Sequence, residues 1–151
     1  MKKVEPDHEA LELAIRRERE AHNFYLALAA KIENPPLCKI LKDLAKEELE
    51  HKAKLEMEFM KNGIVVNTTA KENSFQISDY VVADEPITDM DIRDLLEICI
   101  QKEDASFRFY ADLLLQAKDN NTKETCLSLM EEEIKHKLRF ENEYDDILKT
   151  R

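Results

Sequence analysis

Glycine is almost missing from this chain: there is one in 151 residues, with four prolines and no tryptophan. So few chain breakers suit one helical domain, 1-151, large enough to bury a real core, and a second domain is not expected. No basic block stands out, and 33 acidic against 23 basic residues leave a formal net charge of -10. That balance argues against nucleic acid or an anionic membrane surface as partner and favours a metal cation. No apolar run approaches the roughly 20 residues that span a bilayer, so no membrane insertion is expected. The opening MKKVEPDHEA lacks the apolar centre of a signal peptide, and cytoplasm is the expected compartment. Paired cysteines are missing too. Cys38, Cys99 and Cys126 form no Cys-x-x-Cys, so they give neither a disulfide framework nor a zinc or rubredoxin-type iron knuckle, and each is read as a small core residue.

What is there is helical periodicity. Four segments carry apolar residues at alternating steps of three and four: Asp7 to Glu33, Leu37 to Lys61, a stretch from near Thr88 and Asp89 to Lys118, and Thr122 to Leu148. Asn34-Pro35-Pro36, Asn62-Gly63 and Asp119-Asn120-Asn121 punctuate them, and Thr88 and Asp89 are good amino-terminal caps. Short turns make the first two segments one antiparallel hairpin (about 7-62) and the last two another (about 88-149). Residues 63-87 lie between the hairpins and are long enough to travel a helix of about 39 Å. They read as the long crossover of an all-α, antiparallel four-helix bundle, with room for a short helix or strand.

The two hairpins are copies of one another. Residues 11-61 align with 96-146 at a constant offset of 85 without a gap, giving 14 identities in 51 positions. Two such hairpins bury their apolar faces by pairing about an approximate twofold. Each buried stripe is interrupted by charge. Glu18 breaks the first, Glu48 and His51 the second, Glu103 the third, and Glu133 and His136 the fourth. In both hairpins 30 residues separate the first Glu from the second, so all six groups are expected to meet at mid-bundle.

Four buried carboxylates with no Lys or Arg in their stripes repel one another and lose hydration, at several kcal/mol per ion. Two divalent cations match them in charge, and a Glu and a His three apart on a helix reach one ion together. The competing interpretation is of interior polar groups that set bundle register. It suits any single Glu better than it suits six aligned positions.

Glu, then Glu-x-x-His, then Glu, then Glu-x-x-His on four helices resembles the ferritin-like di-iron carboxylate proteins. The words AIRREREAHNFYLALA and CIQKEDASFRFYADLL are most similar to the helix that supplies a single Glu in rubrerythrin-like proteins. The resemblance implies metal ligation by Glu18, Glu48, His51, Glu103, Glu133 and His136, with Glu48 and Glu133 as the bridging pair. It implies two iron ions as cofactor, with manganese or zinc as alternatives. Two departures stand out. Ser106 occupies the position of the additional ligand Glu of rubrerythrins, and the rubredoxin domain is absent, so electrons are expected from a separate rubredoxin or flavoprotein. The chain also stops 15 residues after His136 and has Leu49 where a haem-ligating Met would stand, which disfavours a bacterioferritin-like cage.

Tyr25 and Tyr110 follow Glu18 and Glu103 by seven residues, where a phenol can reach a carboxylate on the neighbouring helix. In di-iron proteins such tyrosines tune the site or supply an electron; here they are catalytic candidates as well as ordinary core fillers. By the twofold, Glu132 is placed to accept from His51 and Glu47 from His136, fixing each tautomer; the competing interpretation, which suits the two slightly better, is of plain surface charges. His8 and His22 have no repeat partner and are read as solvated. Cys99 and Cys126 share a hairpin but should lie roughly 16 Å apart and not bond. The expected function is a di-iron oxidoreductase acting on hydrogen peroxide or dioxygen, a peroxidase or ferroxidase in oxidative-stress defence. The alternatives are metal binding or storage without turnover, and a di-iron hydroxylase acting on an organic substrate. Bundles of this kind often pair, and a homodimer is the expected assembly.

Overall fold

A computed structural model of the chain describes residues 6-61 and 91-149. The expected crossover 63-87 and the caps Thr88 and Asp89 lie outside the described residues. Four helices make up the described part: α1 (Pro6–Ala29), α2 (Pro35–Lys61), α3 (Ile92–Gln116) and α4 (Asn120–Lys149). The fold is the all-α, ferritin-like bundle of two hairpins, and no strand occurs among the described residues.

Helix boundaries follow local chemistry more closely than the periodic pattern does. Asn34 caps α2 by accepting from the Leu37 N–H at 3.0 Å, and α2 therefore begins at Pro35 instead of Leu37. Proline fits the first helical positions because its missing N–H has no partner there in any case. To reach that cap the chain leaves α1 at Ala29, four residues before the expected Glu33. Helix α4 likewise starts at Asn120, two residues before the expected Thr122, with Asp119 ahead of it accepting from the Thr122 hydroxyl at 3.3 Å. Asn34 and Asp119 are 85 apart, so the repeat extends through the turns. Helix α3 is capped by Asp91, whose backbone is extended and whose side chain accepts from Arg93 N–H.

Packing pairs α1 with α2 and α3 with α4, and α2 also meets α4. Two apolar clusters fill the bundle. One joins the start of α1 and α4 to the end of α2 and α3, through Leu11, Ala14, Leu55, Phe59, Leu113 and Leu129. The other joins the end of α1 and α4 to the start of α2 and α3, through Leu28, Leu37, Leu41, Leu44, Leu96 and Phe140. Helices α1 and α4 thus run one way and α2 and α3 the other. Helix α2 consequently ends at the opposite end of the bundle from where α3 begins. Between the two clusters lies the layer that contains every charged interruption of the stripes.

The three cysteines are free thiols, Cys99 and Cys126 buried at opposite ends of the bundle. No helix of the described residues is long and apolar enough to cross a membrane.

Candidate metal centre

All six predicted groups converge. Glu18, Glu48, His51, Glu103, Glu133 and His136 are each no more than 6% exposed, and they fall into two overlapping sets. Glu18, Glu48, His51 and Glu133 bring one potential ligand atom each within 4.8 Å of one another, and so do Glu48, Glu103, Glu133 and His136. Glu48 and Glu133 belong to both. The Glu-x-x-His spacing produces this by placing both side chains of a helix on one face.

Distances repeat across the twofold. His51 Nδ1 lies 3.5 Å from Glu18 and 3.3 Å from Glu133; His136 Nδ1 lies 3.5 Å from Glu103 and 3.0 Å from Glu48. The imidazoles stack with ring centroids 5.5 Å apart. Despite these short separations, Glu18 Oε2, Glu48 Oε1, both Glu133 oxygens, Glu103 Oε2 and both His Nδ1 atoms are buried without a hydrogen-bond partner. A buried polar atom left unmatched costs about 1–3 kcal/mol, so this layer is poor as a purely structural network. Its donor set of hard carboxylates and borderline imidazoles fits divalent transition metals.

Each expected tyrosine contact forms. The Tyr25 hydroxyl donates to Glu103 Oε1 at 2.6 Å, and the Tyr110 hydroxyl donates to Glu18 Oε1. These bonds tie α1 to α3 through the layer. Burial first, then the neighbouring carboxylate charges, push both phenols well above their ordinary value of 10.0, so they stay protonated donors.

Burial raises all four carboxyls, and their contacts then divide them. Against burial, the close approach of Glu48 and His51, the charge of His51 and the hydrogen bond from Tyr110 hold Glu18 at about 2. Glu103 is lowered in the same way, with Glu133, His136 and Tyr25 outweighing burial. Glu48 and Glu133 go up: burial and then repulsion from the other carboxylates hold them well above 4.5. Burial lowers His136, but contact with Glu103 and the charges of Glu103 and Glu47 outweigh it and leave the ring above 6.5. Contacts within the layer thus lower the outer pair and raise the shared pair.

Residues 9–144 match the family profile described as rubrerythrin. The chain belongs to the rubrerythrin family. Among solved structures it resembles a hypothetical protein from Pyrococcus furiosus at 28% identity and a TM-score of 0.75, covering 96% of this chain and 92% of that one. It also shares the fold of KatB, a manganese catalase from Anabaena, at 20% identity and a TM-score of 0.72, covering 97% of this chain and 75% of that one. No curated protein matches the sequence.

Ser106, expected from the resemblance to be a departure from rubrerythrins, has a partner in the structure. The Arg17 guanidinium donates to Ser106 Oγ at 3.2 Å, rests 4.8 Å from the Phe109 ring centroid and lowers Glu133 by its charge. The twofold mate of this contact is Lys102 over Phe24, at 4.3 Å. Both cation–π pairs are absent from the stripe reading, although Phe24 and Phe109 are repeat identities 85 apart. Following each cation to the ring on the other hairpin was the available signal.

Three expectations need amending. Glu132 makes no hydrogen bond with His51; it pairs with Lys135 at 3.4 Å, one helical turn along α4. Glu47 does approach His136 Nε2, at 3.5 Å, but the two form no hydrogen bond, and Arg139 lies 3.8 Å from the same oxygen. His22 is half-buried, its Nδ1 2.7 Å from the Ala45 carbonyl oxygen on α2, and half-buried His8 lies against the Phe59 ring. A local acceptor or ring, invisible to a helical-stripe count, captured each.

Proposed function

We propose that the buried layer holds a pair of metal ions and that the protein is a dimetal oxidoreductase acting on hydrogen peroxide or dioxygen. The observation that carries this reading is the overlap of two four-residue sets through Glu48 and Glu133, with their inward atoms otherwise unmatched. His51, Glu18, Glu48 and Glu133 would hold one ion; His136, Glu103, Glu48 and Glu133 the other. Bound there, iron would supply the electrons and Lewis acidity for reducing a peroxide or dioxygen. A cation would displace the protons that burial favours on Glu48 and Glu133, whereas the contacts of Glu18 and Glu103 favour their anions. Tyr25 and Tyr110 hold protons against Glu103 and Glu18, orienting one oxygen of each. As groups touching two of the ligands, they are candidates to supply an electron or a proton. The two apolar clusters keep water from both ends of the layer.

Four carboxylates and two imidazoles also accept manganese or zinc, and the KatB likeness is one of fold. Anaerobic loading of the protein with two equivalents of ferrous ion, followed by mixing with hydrogen peroxide, tests the proposal. Reoxidation within seconds, repeatable once a rubredoxin or flavoprotein donor re-reduces the centre, is expected. Stoichiometric binding with no reoxidation would instead make the protein a metal store.

A further inference from the structure

Outside the buried layer, between α2 and α4, lies an open cavity of about 470 Å³. Its wall includes His51, Glu47, Glu50 and Glu132 and one cation, Lys54, whose Nζ is drawn aside to Ser128 Oγ at 2.6 Å; Lys135 pairs with Glu132 and Arg139 approaches Glu47 from beyond the lining. His51 forms part of the boundary between this cavity and the dimetal layer, and His136 stacks against it from behind the cavity wall. His51 turns Nδ1 toward Glu18, Glu48 and Glu133, which leaves its opposite ring nitrogen for the outer side. His136 shows both sides directly: Nδ1 lies against Glu48 and Glu103, and Nε2 lies 3.5 Å from Glu47 Oε2. That Nε2 is buried in a side chain 1% exposed and has no hydrogen-bond partner. His51, Glu132 and His136 also bring one ligand atom each within 4.8 Å of one another, a third such set that differs from the two inner ones.

We infer that His51, Glu132 and His136, flanked by Glu47 and Glu50, form an outer divalent-cation site that loads the inner centre, an inference resting on the dimetal reading above. The chemistry makes it a station of transit. An imidazole that gives one nitrogen to a metal keeps its proton on the other, so a ring engaged by an inner ion no longer ligates outside. A cation held by both outer nitrogens and Glu132 therefore stays only until the rings turn their electron pairs inward. The acidic wall concentrates cations at the opening, whereas among the described residues apolar clusters pack against both ends of the layer.

The test uses cobalt(II) alone as probe, mixed with the metal-free full-length protein and followed by stopped-flow absorbance. Glu132→Gln and Glu50→Gln remove the negative charge at constant shape, and Glu20→Gln, an exposed change on α1, serves as control. The combined Glu50→Gln and Glu132→Gln variant is expected to load at least tenfold more slowly and release cobalt to a chelator more slowly by the same factor. Its final content stays at two ions with unchanged affinity, because a group touched only in transit cannot shift the end-point equilibrium. The control should load at the wild-type rate. Loading of the double variant at the wild-type rate overturns the outer site and leaves the inner centre standing. A loss of affinity without a change in loading rate also overturns it, and makes Glu132 a positioning residue for His51. Failure of the wild type to bind two ions removes the dimetal reading, and the outer site with it.

Discussion

At the scale of single residues, the centre shows how identical side chains are pushed in opposite directions by their surroundings. Burial and the other carboxylates raise the Glu133 carboxyl well above its ordinary range, so the isosteric Glu133→Gln should hardly disturb the metal-free fold. It should remove one shared ligand and with it the second ion. The expected result is a melting temperature at or above that of the metal-free wild type at pH 8, with at most one ion retained in equilibrium dialysis. Tyr110→Phe tests the opposite case. Glu18 is an anion that loses a donor in a dry site, so the variant should be less stable by about 1–3 kcal/mol in urea unfolding. Tyr25→Phe should match it, because Tyr25 stands to Glu103 as Tyr110 stands to Glu18.

At the scale of the helices, the repeat makes a quantitative demand. Leu44 and Leu129 occupy equivalent positions in the two hairpins, are fully buried, and sit in opposite apolar clusters. Leu44→Ala and Leu129→Ala should each cost about 2–5 kcal/mol, read from urea midpoints, and should do so by similar amounts if the halves pack as copies. Loss of the α2 cap in Asn34→Ala should cost about 1 kcal/mol, measured in the same way. The helices and the hairpin pairing were legible in the sequence because apolar spacing and short turns are local facts. Their ends were less so. Asn34-Pro35-Pro36 read as a stop, whereas the fold uses Asn34 as a cap and the prolines as the first turn. The cation–π pairs of Arg17 and Lys102 also escaped, since each depends on a ring supplied by the other hairpin.

For the molecule as a whole, metal binding and folding are coupled through protons. Glu18 and Glu103 have folded pKa values below 4.5, so the stability they contribute is complete above that pH and is lost as pH falls below it, for Glu18 toward about 2. Glu48 and Glu133 have folded values above 4.5, so what they contribute is present below it and is lost as pH rises. His136 adds a loss above 6.5. The metal-free protein should therefore be most stable in mild acid and weaken toward alkaline pH. Cations displace those protons, so the stabilisation by added cobalt or iron should be larger at pH 8 than at pH 5.5, as calorimetry with and without metal will show. A stabilisation that is independent of pH would mean that the ions bind elsewhere.

The sequence by itself determined the number and type of helices, the doubled hairpin and the six residues that break its apolar stripes, because periodicity and repeat spacing are properties of the chain. Only the tertiary structure decided which carboxyls are raised and which lowered, which phenol meets which carboxylate, and that an acidic cavity opens beside His51. Those facts depend on how α1 meets α3 and how α2 meets α4 across the twofold, and on distances of a few Å within a dry interior. No linear spacing encodes them.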